Sequence, residues 1–257
     1  TVKKVERKDK SEKPPALYDL TTLQRDANRL LGFTAQQTLD YLQNLYEKKL
    51  CTYPRTDSRY LTSDMAEGLP VLVNLVANAM PFRKGIAISC DAAAVINDKK
   101  VTDHHAVIPT RNIREADLSA LPVGERAILE LVALRLLCAV APPHTYAETA
   151  VTVECADTEF TAKGRTVKQP GWRALDAAYR ASMKNAEPDN DNESKALPEL
   201  TEGQKLPVAG AAVKEGKTSP PKHFSEDTLL AAMETAGAKD MPEDAERKGL
   251  GTPATRA

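Results

Sequence analysis

A tyrosine and an arginine two residues apart, Tyr53 and Arg55, lie in the polar stretch Thr52-Tyr53-Pro54-Arg55-Thr56-Asp57-Ser58-Arg59-Tyr60-Leu61, which interrupts an otherwise helical pattern. A phenol is a weak nucleophile at neutral pH because its ordinary pKa is about 10. A fixed cation nearby favours the phenolate and can also hold a phosphate bidentately. The pair can therefore supply a nucleophile and the group that neutralises a phosphate under attack. The spacing alone is not specific, since a surface loop can carry the same two residues.

The full string is more specific. Tyr-Pro-Arg-Thr-Asp-Ser at 53–58 resembles the active-site segment of type IA DNA topoisomerases, most closely the topoisomerase III branch. Thr102-Asp103-His104-His105-Ala106-Val107-Ile108-Pro109-Thr110 resembles the histidine segment of that family. Gly249-Leu250-Gly251-Thr252-Pro253-Ala254-Thr255-Arg256 resembles its Gly-x-Gly-x-Pro-x-Thr segment. All three stand in the family's order. The Pro between Tyr53 and Arg55 and the adjacent histidines favour the topoisomerase III branch.

The resemblance implies that Tyr53 attacks a phosphodiester of single-stranded DNA, forming a 5′-phosphotyrosine and freeing a 3′-hydroxyl. An aryl phosphodiester stores the bond energy, so resealing needs no ATP, and no Gly-x-x-x-x-Gly-Lys-Ser/Thr loop is present. Arg55 is implied as the scissile-phosphate ligand. Asp57 is read as an orienter of Arg55 or of the backbone, and Ser58 as a phosphate donor. His104, and then His105, are expected near the phosphate, where a histidine can donate a charge-assisted hydrogen bond. Thr252 as N-cap and Pro253 at the first helical position read as a helix start. Gly251 and Thr252 are accordingly expected to contact the DNA backbone.

Bulk properties set wider limits. The chain has 257 residues, 42% hydrophobic and 28% charged, enough for one large domain or two ordinary ones. No apolar run reaches the roughly 20 residues of a membrane helix, and no signal segment opens the chain. The net charge of −1 does not announce a nucleic-acid binder, so any basic face must be local. Cys51, Cys90, Cys138 and Cys155 form no Cys-x-x-Cys pair, which points to reduced thiols in a cytosolic protein rather than a zinc site; the resemblance implies a cytoplasmic, nucleoid-associated enzyme. The missing initiator Met and the abrupt end read as a piece of a longer polypeptide, with a monomer expected.

Periodicity supplies the scaffold. Residues 1–15 read as an extended entry segment ending in Pro14-Pro15. Leu23, Ala27, Leu30 and Leu31 mark a helix closed by Gly32, and Thr34-Ala35-Gln36-Gln37 is a capping box opening a second. Leu39, Leu42, Leu45 and Tyr46 share one face of it. Thr62 or Ser63 is expected to cap a helix running to Met80, and a helix is predicted from Leu118 to Ala141, stopped by Pro142-Pro143. Period-two alternation at 148–155 and 159–163 predicts strands, and 206–213 also reads as strand. The run 186–195 reads as a mobile loop, and Ser225 as the cap of a late helix.

The expected organisation is α+β and multidomain. Residues 1–15 end a β-rich segment, 16–145 form a helical domain with the tyrosine, 146–222 form a β-rich domain, and 223–257 begin another helical domain. The resemblance implies that the helical domain is inserted in the β-rich arch of a toroidal enzyme with a DNA-sized hole. It also implies an N-terminal domain, absent from this sequence, whose acidic cluster binds Mg²⁺ and whose lysine protonates the leaving oxygen. No Asp-x-Asp pair in a strand–loop context stands in for it, and no metal site is expected here.

Two other readings remain at this point. One is a non-catalytic DNA-binding or interaction module of the same family. The other is a tyrosine recombinase, which would form a 3′-phosphotyrosine and carry its tyrosine near the C-terminus. The leading reading predicts negligible relaxation of supercoiled DNA by this chain alone with Mg²⁺; a purified chain that relaxes plasmid would overturn it.

Overall fold

A computed structural model describes residues 1–83, 85–183, 196–237, 249–251 and 255. The chain divides into two compact units. One comprises Thr1–Lys13, Pro143–Gly171 and Glu187–Lys222; the other comprises Pro14–Pro142, Trp172–Ala186 and His223–Ala257.

The first unit is built on a three-stranded antiparallel sheet. Its strands β1 (Val2–Glu12), β2 (His144–Cys155) and β3 (Thr158–Gln169) lie in that order. Ala156 and Asp157 join β2 to β3, both with positive φ (49° and 58°). A two-residue hairpin of the right twist requires that backbone. Residues 206–213, read as strand, form none and are exposed. Pro207 lacks a ladder donor and Gly210 lacks a side chain to pack, so nothing holds that stretch against a neighbour. The run 186–195, read as a mobile loop, lies outside the described residues.

The second unit is helical. Helix α1 (Leu20–Leu31) opens on an Asp19–Thr22 capping box and closes at Gly32, whose φ of 71° only glycine adopts without strain. Helix α2 (Ala35–Glu47) opens on the Thr34–Gln37 box read from the sequence. Helix α3 (Leu69–Ala79) carries Pro70 in its first turn, where the missing N–H costs nothing. The sequence placed a cap at Thr62 or Ser63; the structure has only a short 3₁₀ turn, Ser63–Met65, before α3.

Helix α4 (Val123–Ala139) is shorter than the periodicity of 118–141 suggested. Pro122 disfavours helical backbone at Leu121, which is extended (φ −68°, ψ 142°), leaving a separate 3₁₀ turn at Leu118–Ala120. Ile128, Leu129, Val132 and Leu136 of α4 are fully buried, as are Leu20 and Leu23 of α1, Leu42 and Leu45 of α2 and Val76 of α3. Burial of each such side chain contributes about 1.5–3 kcal/mol. Helix α5 (Arg173–Ser182) falls inside the stretch read as β-rich. Leu175 and Tyr179, four residues apart, bury one face of it, and Tyr179 meets Phe82 edge-on with centroids 5.3 Å apart. Helix α6 (Glu226–Glu234) has the expected Ser225 cap.

One polar cluster ties α1 to α4. The Tyr18 hydroxyl donates to Asp26 at 2.7 Å, Arg29 donates to Asp26 at 2.6 Å, and Arg135 pairs with Asp26 while lying over the Tyr18 ring at 4.1 Å. Burial pushes the Asp26 carboxyl up, but Arg135, Arg29 and the Tyr18 hydroxyl outweigh it and hold the group below its ordinary 3.8. A carboxyl depressed in the folded state gives stability that is present above 3.8 and is lost as pH falls through the lower folded value. Asp26→Asn is therefore expected to cost about 2 kcal/mol at neutral pH, less than a fully buried pair because both side chains keep some water contact. The difference should shrink below pH 3.8, as urea unfolding at several pH values would reveal. An unchanged difference at low pH would contradict the assignment.

Candidate active site

The segment 49–61 has no regular secondary structure of its own, and a second segment, 95–110, supplies its hydrogen-bond partners. Thr110 N donates to Leu50 O (2.9 Å), Thr52 N to Ile108 O (3.0 Å), Ala106 N to Tyr60 O (2.9 Å), Leu61 N to Val95 O (2.9 Å) and Asn97 N to Leu61 O (3.0 Å). Bridges Cys51↔Pro109 and Leu61↔Ile96 close its two ends. Cys51 is buried, and burial pushes its thiol well up, so it is a packing residue beside Tyr53 rather than a reactive one.

Two threonine hydroxyls fasten the middle. Thr52 Oγ1 donates to Ala106 O at 3.1 Å and accepts from Ile108 N at 3.0 Å. Thr56 Oγ1 donates to His104 O at 3.0 Å and accepts from Ser58 N at 3.1 Å, with the residue only 2% exposed. Burial alternates along the strand-like run: Pro54, Thr56 and Ser58 face inward, while Arg55 and Asp57 are exposed. The polar residues that looked like one catalytic cluster in the sequence thus divide into an inner set of struts and an outer, exposed set.

Tyr53 is half-buried. Its ring lies against the exposed His104 ring, with centroids 4.1 Å apart and planes at 34°. On the other side Tyr46 of α2 meets it edge-on, 5.6 Å away at 85°. Among the described residues the Tyr53 hydroxyl has no hydrogen-bond partner. Arg55 donates from Nη1 to Gln43 Oε1 at 3.1 Å, and Gln43 in turn donates to Glu47 at 3.1 Å. Helix α2 therefore presents Gln43 and Tyr46, one turn apart, to Arg55 and Tyr53.

Several sequence expectations change here. Tyr46, grouped with the leucines of α2, is 40% exposed and packs on Tyr53 instead of the core. Asp57 makes no hydrogen bond or ion pair with any described residue, so Gln43, not Asp57, orients Arg55. Ser58 is only 4% exposed and its hydroxyl donates to Lys100 O at 2.8 Å, which makes it a strut and not an outward phosphate donor. His105 is half-buried and donates from Nδ1 to the Ala106 carbonyl at 2.8 Å, leaving His104 as the outward histidine. Gly251 has a φ of 66°; Thr252 and Pro253 lie outside the described residues, so the helix start expected there has no structural account.

Sequence reasoning passed over Arg59. Its Nε donates to Asp19 Oδ2 at 2.8 Å, and Asp19 is the buried N-cap of α1. The far end of the segment is thereby fixed to a helix start. A basic residue four positions after Arg55 was the available signal. Gln43 carried none, because its role depends on how α2 packs.

The Thr52 strut is testable with Thr52→Val, which keeps the shape and deletes the hydroxyl. The Ile108 N–H would lose a bond and the Ala106 carbonyl a donor, at about 1–3 kcal/mol. We expect a lower urea midpoint and, by NMR, smaller ring-current shifts of the His104 protons by Tyr53. Unaltered shifts would show that the two segments hold their register without this hydroxyl.

A family model described as DNA topoisomerase matches residues 1–257. DNA topoisomerase 3 of Bacillus licheniformis is 42% identical over 260 residues, covering 95% of this chain and 34% of that protein. The Bacillus subtilis protein of the same name is 42% identical over 258 residues, again covering 95% and 34%. DNA topoisomerase 3 of Shouchella clausii is 39% identical over 267 residues, covering 98% and 35%. The chain spans about a third of the length of the curated relatives it matches. Full-length topoisomerase I from Thermotoga maritima has a similar fold, with a TM-score of 0.67 at 21% identity over 100% of this chain and 39% of that one. With a match along its whole length, the chain belongs to the type IA DNA topoisomerase family.

Proposed function

We propose that residues 52–60 form the strand-cleaving segment of a topoisomerase III-type enzyme acting on single-stranded DNA. Tyr53 Oη attacks the phosphorus, the bond from phosphorus to the 3′ oxygen breaks, and a 5′-phosphotyrosine forms. The 3′-hydroxyl leaves with a proton. Return of that hydroxyl reverses the step after another strand has passed, so relaxation or decatenation proceeds without ATP.

The observation that carries this reading is the placement of Tyr53 between Tyr46 and His104, with its hydroxyl unbonded among the described residues and the Arg55 head exposed nearby in sequence. A fixed phenol loses little conformational freedom on reaching an attacking geometry. Arg55 is partnered by a neutral amide, so its charge is not cancelled and can meet the negative charge that grows on the phosphorane oxygens. His104 is suited to donate to the same phosphate.

Among the described residues no three His, Cys, Asp or Glu side chains converge to hold a metal ion. Mg²⁺ is assigned to the N-terminal domain of the full-length polypeptide, along with the group that protonates the 3′ oxygen, and no step above runs through it. No helix among the described residues is long and apolar enough to cross a membrane. We infer a monomer associated with the nucleoid in the cytoplasm. The domains proposed are those expected from the resemblance, with the tyrosine-bearing helical domain inserted in a β-rich arch.

The decisive experiment traps the intermediate of the full-length enzyme by rapid denaturation on a labelled oligonucleotide. Wild type should yield a protein–DNA adduct on the 5′ side of the break, mapped to Tyr53. Tyr53→Phe should yield none, and Arg55→Ala should lower the cleavage rate by about 10²–10³. An adduct on another residue or on a 3′ end would reject the mechanism. Retained DNA binding without any adduct from wild type would favour a binding module.

A further inference from the structure

Helix α6 is held to the helical unit mostly by carboxylates. Leu230 is its one buried residue, while Leu229 is 47% exposed. At its first turn Glu226 Oε2 accepts from Ala35 N, the first residue of α2, at 2.6 Å. Asp227 Oδ1 accepts from Arg25 Nε of α1 at 2.8 Å, and Asp227 N donates to Asn28 Oδ1 at 3.2 Å. At its last residue Glu234 lies 3.9 Å from Arg25 on one oxygen and 3.9 Å from Arg59 on the other. A cavity of about 430 Å³ opens in the seam between the first turn of α2 and α6. The contact is thus polar, partly exposed and loosely filled.

What these carboxylates touch is a set of phosphate-type partners: two guanidinium groups and the N-terminus of a helix. Arg59 belongs to the Tyr53 segment, four residues beyond Arg55. In extended chain that separation is about 13 Å, so a strand bound at Arg55 can reach Arg59. The Gly249-Leu250-Gly251 stretch lies against the C-terminal end of α6. Leu250 N donates to Met233 O at 2.8 Å, and a β-carbon on Gly249 would come within 2.3 Å of the same carbonyl. Glu234 therefore stands between the tyrosine segment and the glycine motif.

We propose that α6 is an acidic strap that occupies Arg25 and Arg59 when no DNA is bound and is displaced when strand phosphates take those two arginines. Displacement removes Glu234 from beside Arg59, whose Nε stays bonded to Asp19, so that its Nη2 can meet the strand, and lets the Gly249–Gly251 backbone shift with the helix. The strap rests on the DNA-strand reading above. Partly exposed ion pairs of this kind are individually weak and salt-screened, so a polyanion competes with them. A nine-residue helix released from its contacts does not hold its own hydrogen bonds in water. Its release is therefore visible in amide exchange.

The test uses the full-length enzyme carrying Tyr53→Phe, with a single-stranded oligonucleotide as probe. On saturation, the amides of residues 226–234 should exchange about tenfold faster or more. Glu226→Gln, Asp227→Asn and Glu234→Gln combined should bring faster exchange without DNA and tighten oligonucleotide binding by about tenfold, the size expected when three partly exposed ion pairs cease to compete. Protection of α6 that is unchanged or increased by bound oligonucleotide overturns the strap and leaves the DNA reading intact. Failure of the oligonucleotide to bind overturns both. The exchange comparison needs no strap substitution, so it decides the matter even if the triple variant is poorly folded.

Discussion

The hydrogen bonds between segments 49–61 and 95–110 are the constraint on which the candidate site depends. Neither segment forms an α-helix or a regular strand, and each would expose unpaired backbone groups if it stood alone. Paired, they satisfy one another and place His104 against Tyr53 across a gap of about fifty residues of sequence, with centroids 4.1 Å apart. The hydroxyls of Thr52 and Thr56 add side-chain-to-backbone bonds at the places where the ladder is irregular. Those hydroxyls are buried or half-buried, where an unmade bond costs most. The register of the pairing is therefore defined at several independent points, and the two aromatic rings inherit that definition.

Charge in the helical unit is arranged by partner rather than by total. Arg59 meets Asp19, Arg25 meets Asp227, Arg135 meets Asp26, and Lys48 pairs with the buried Glu125. Each pair contributes little net field at a distance. Arg55 differs, since its partner is the Gln43 amide. A near-zero net charge is thus compatible with a local cationic head at the site, which composition alone does not reveal.

How much of this was legible beforehand depends on the range of the interaction. The Thr34–Gln37 and Ser225 caps and the left-handed Gly32 follow from residues within one turn, and the sequence reading found them. The break at Leu121-Pro122 is just as local, yet helical periodicity on both sides obscured it. Tyr46 and Gln43 could not be assigned, because their role comes from the side of α2 that meets a segment ten residues later in the chain. Ser58 was misjudged for a related reason: adjacent polar residues in an extended run face opposite ways, and the reading took them as one cluster. The phase of that alternation is set by Thr56, whose hydroxyl is anchored to the His104 carbonyl.

That alternation also bears on the single residue that separates Tyr53 from Arg55, the pair proposed to react. In extended backbone, residues two apart share a face, so Tyr53 and Arg55, as the proposed mechanism requires, can both address one phosphate only while the intervening Pro54 stays inward. Pro54 is buried, and its ring restricts the backbone on both sides of it. A more flexible residue at 54 would leave the side chains chemically unchanged but broaden the angle between them. The proline is then as much a part of the site's geometry as the aromatic rings that hold Tyr53, because it sets which way the guanidinium leaves the chain.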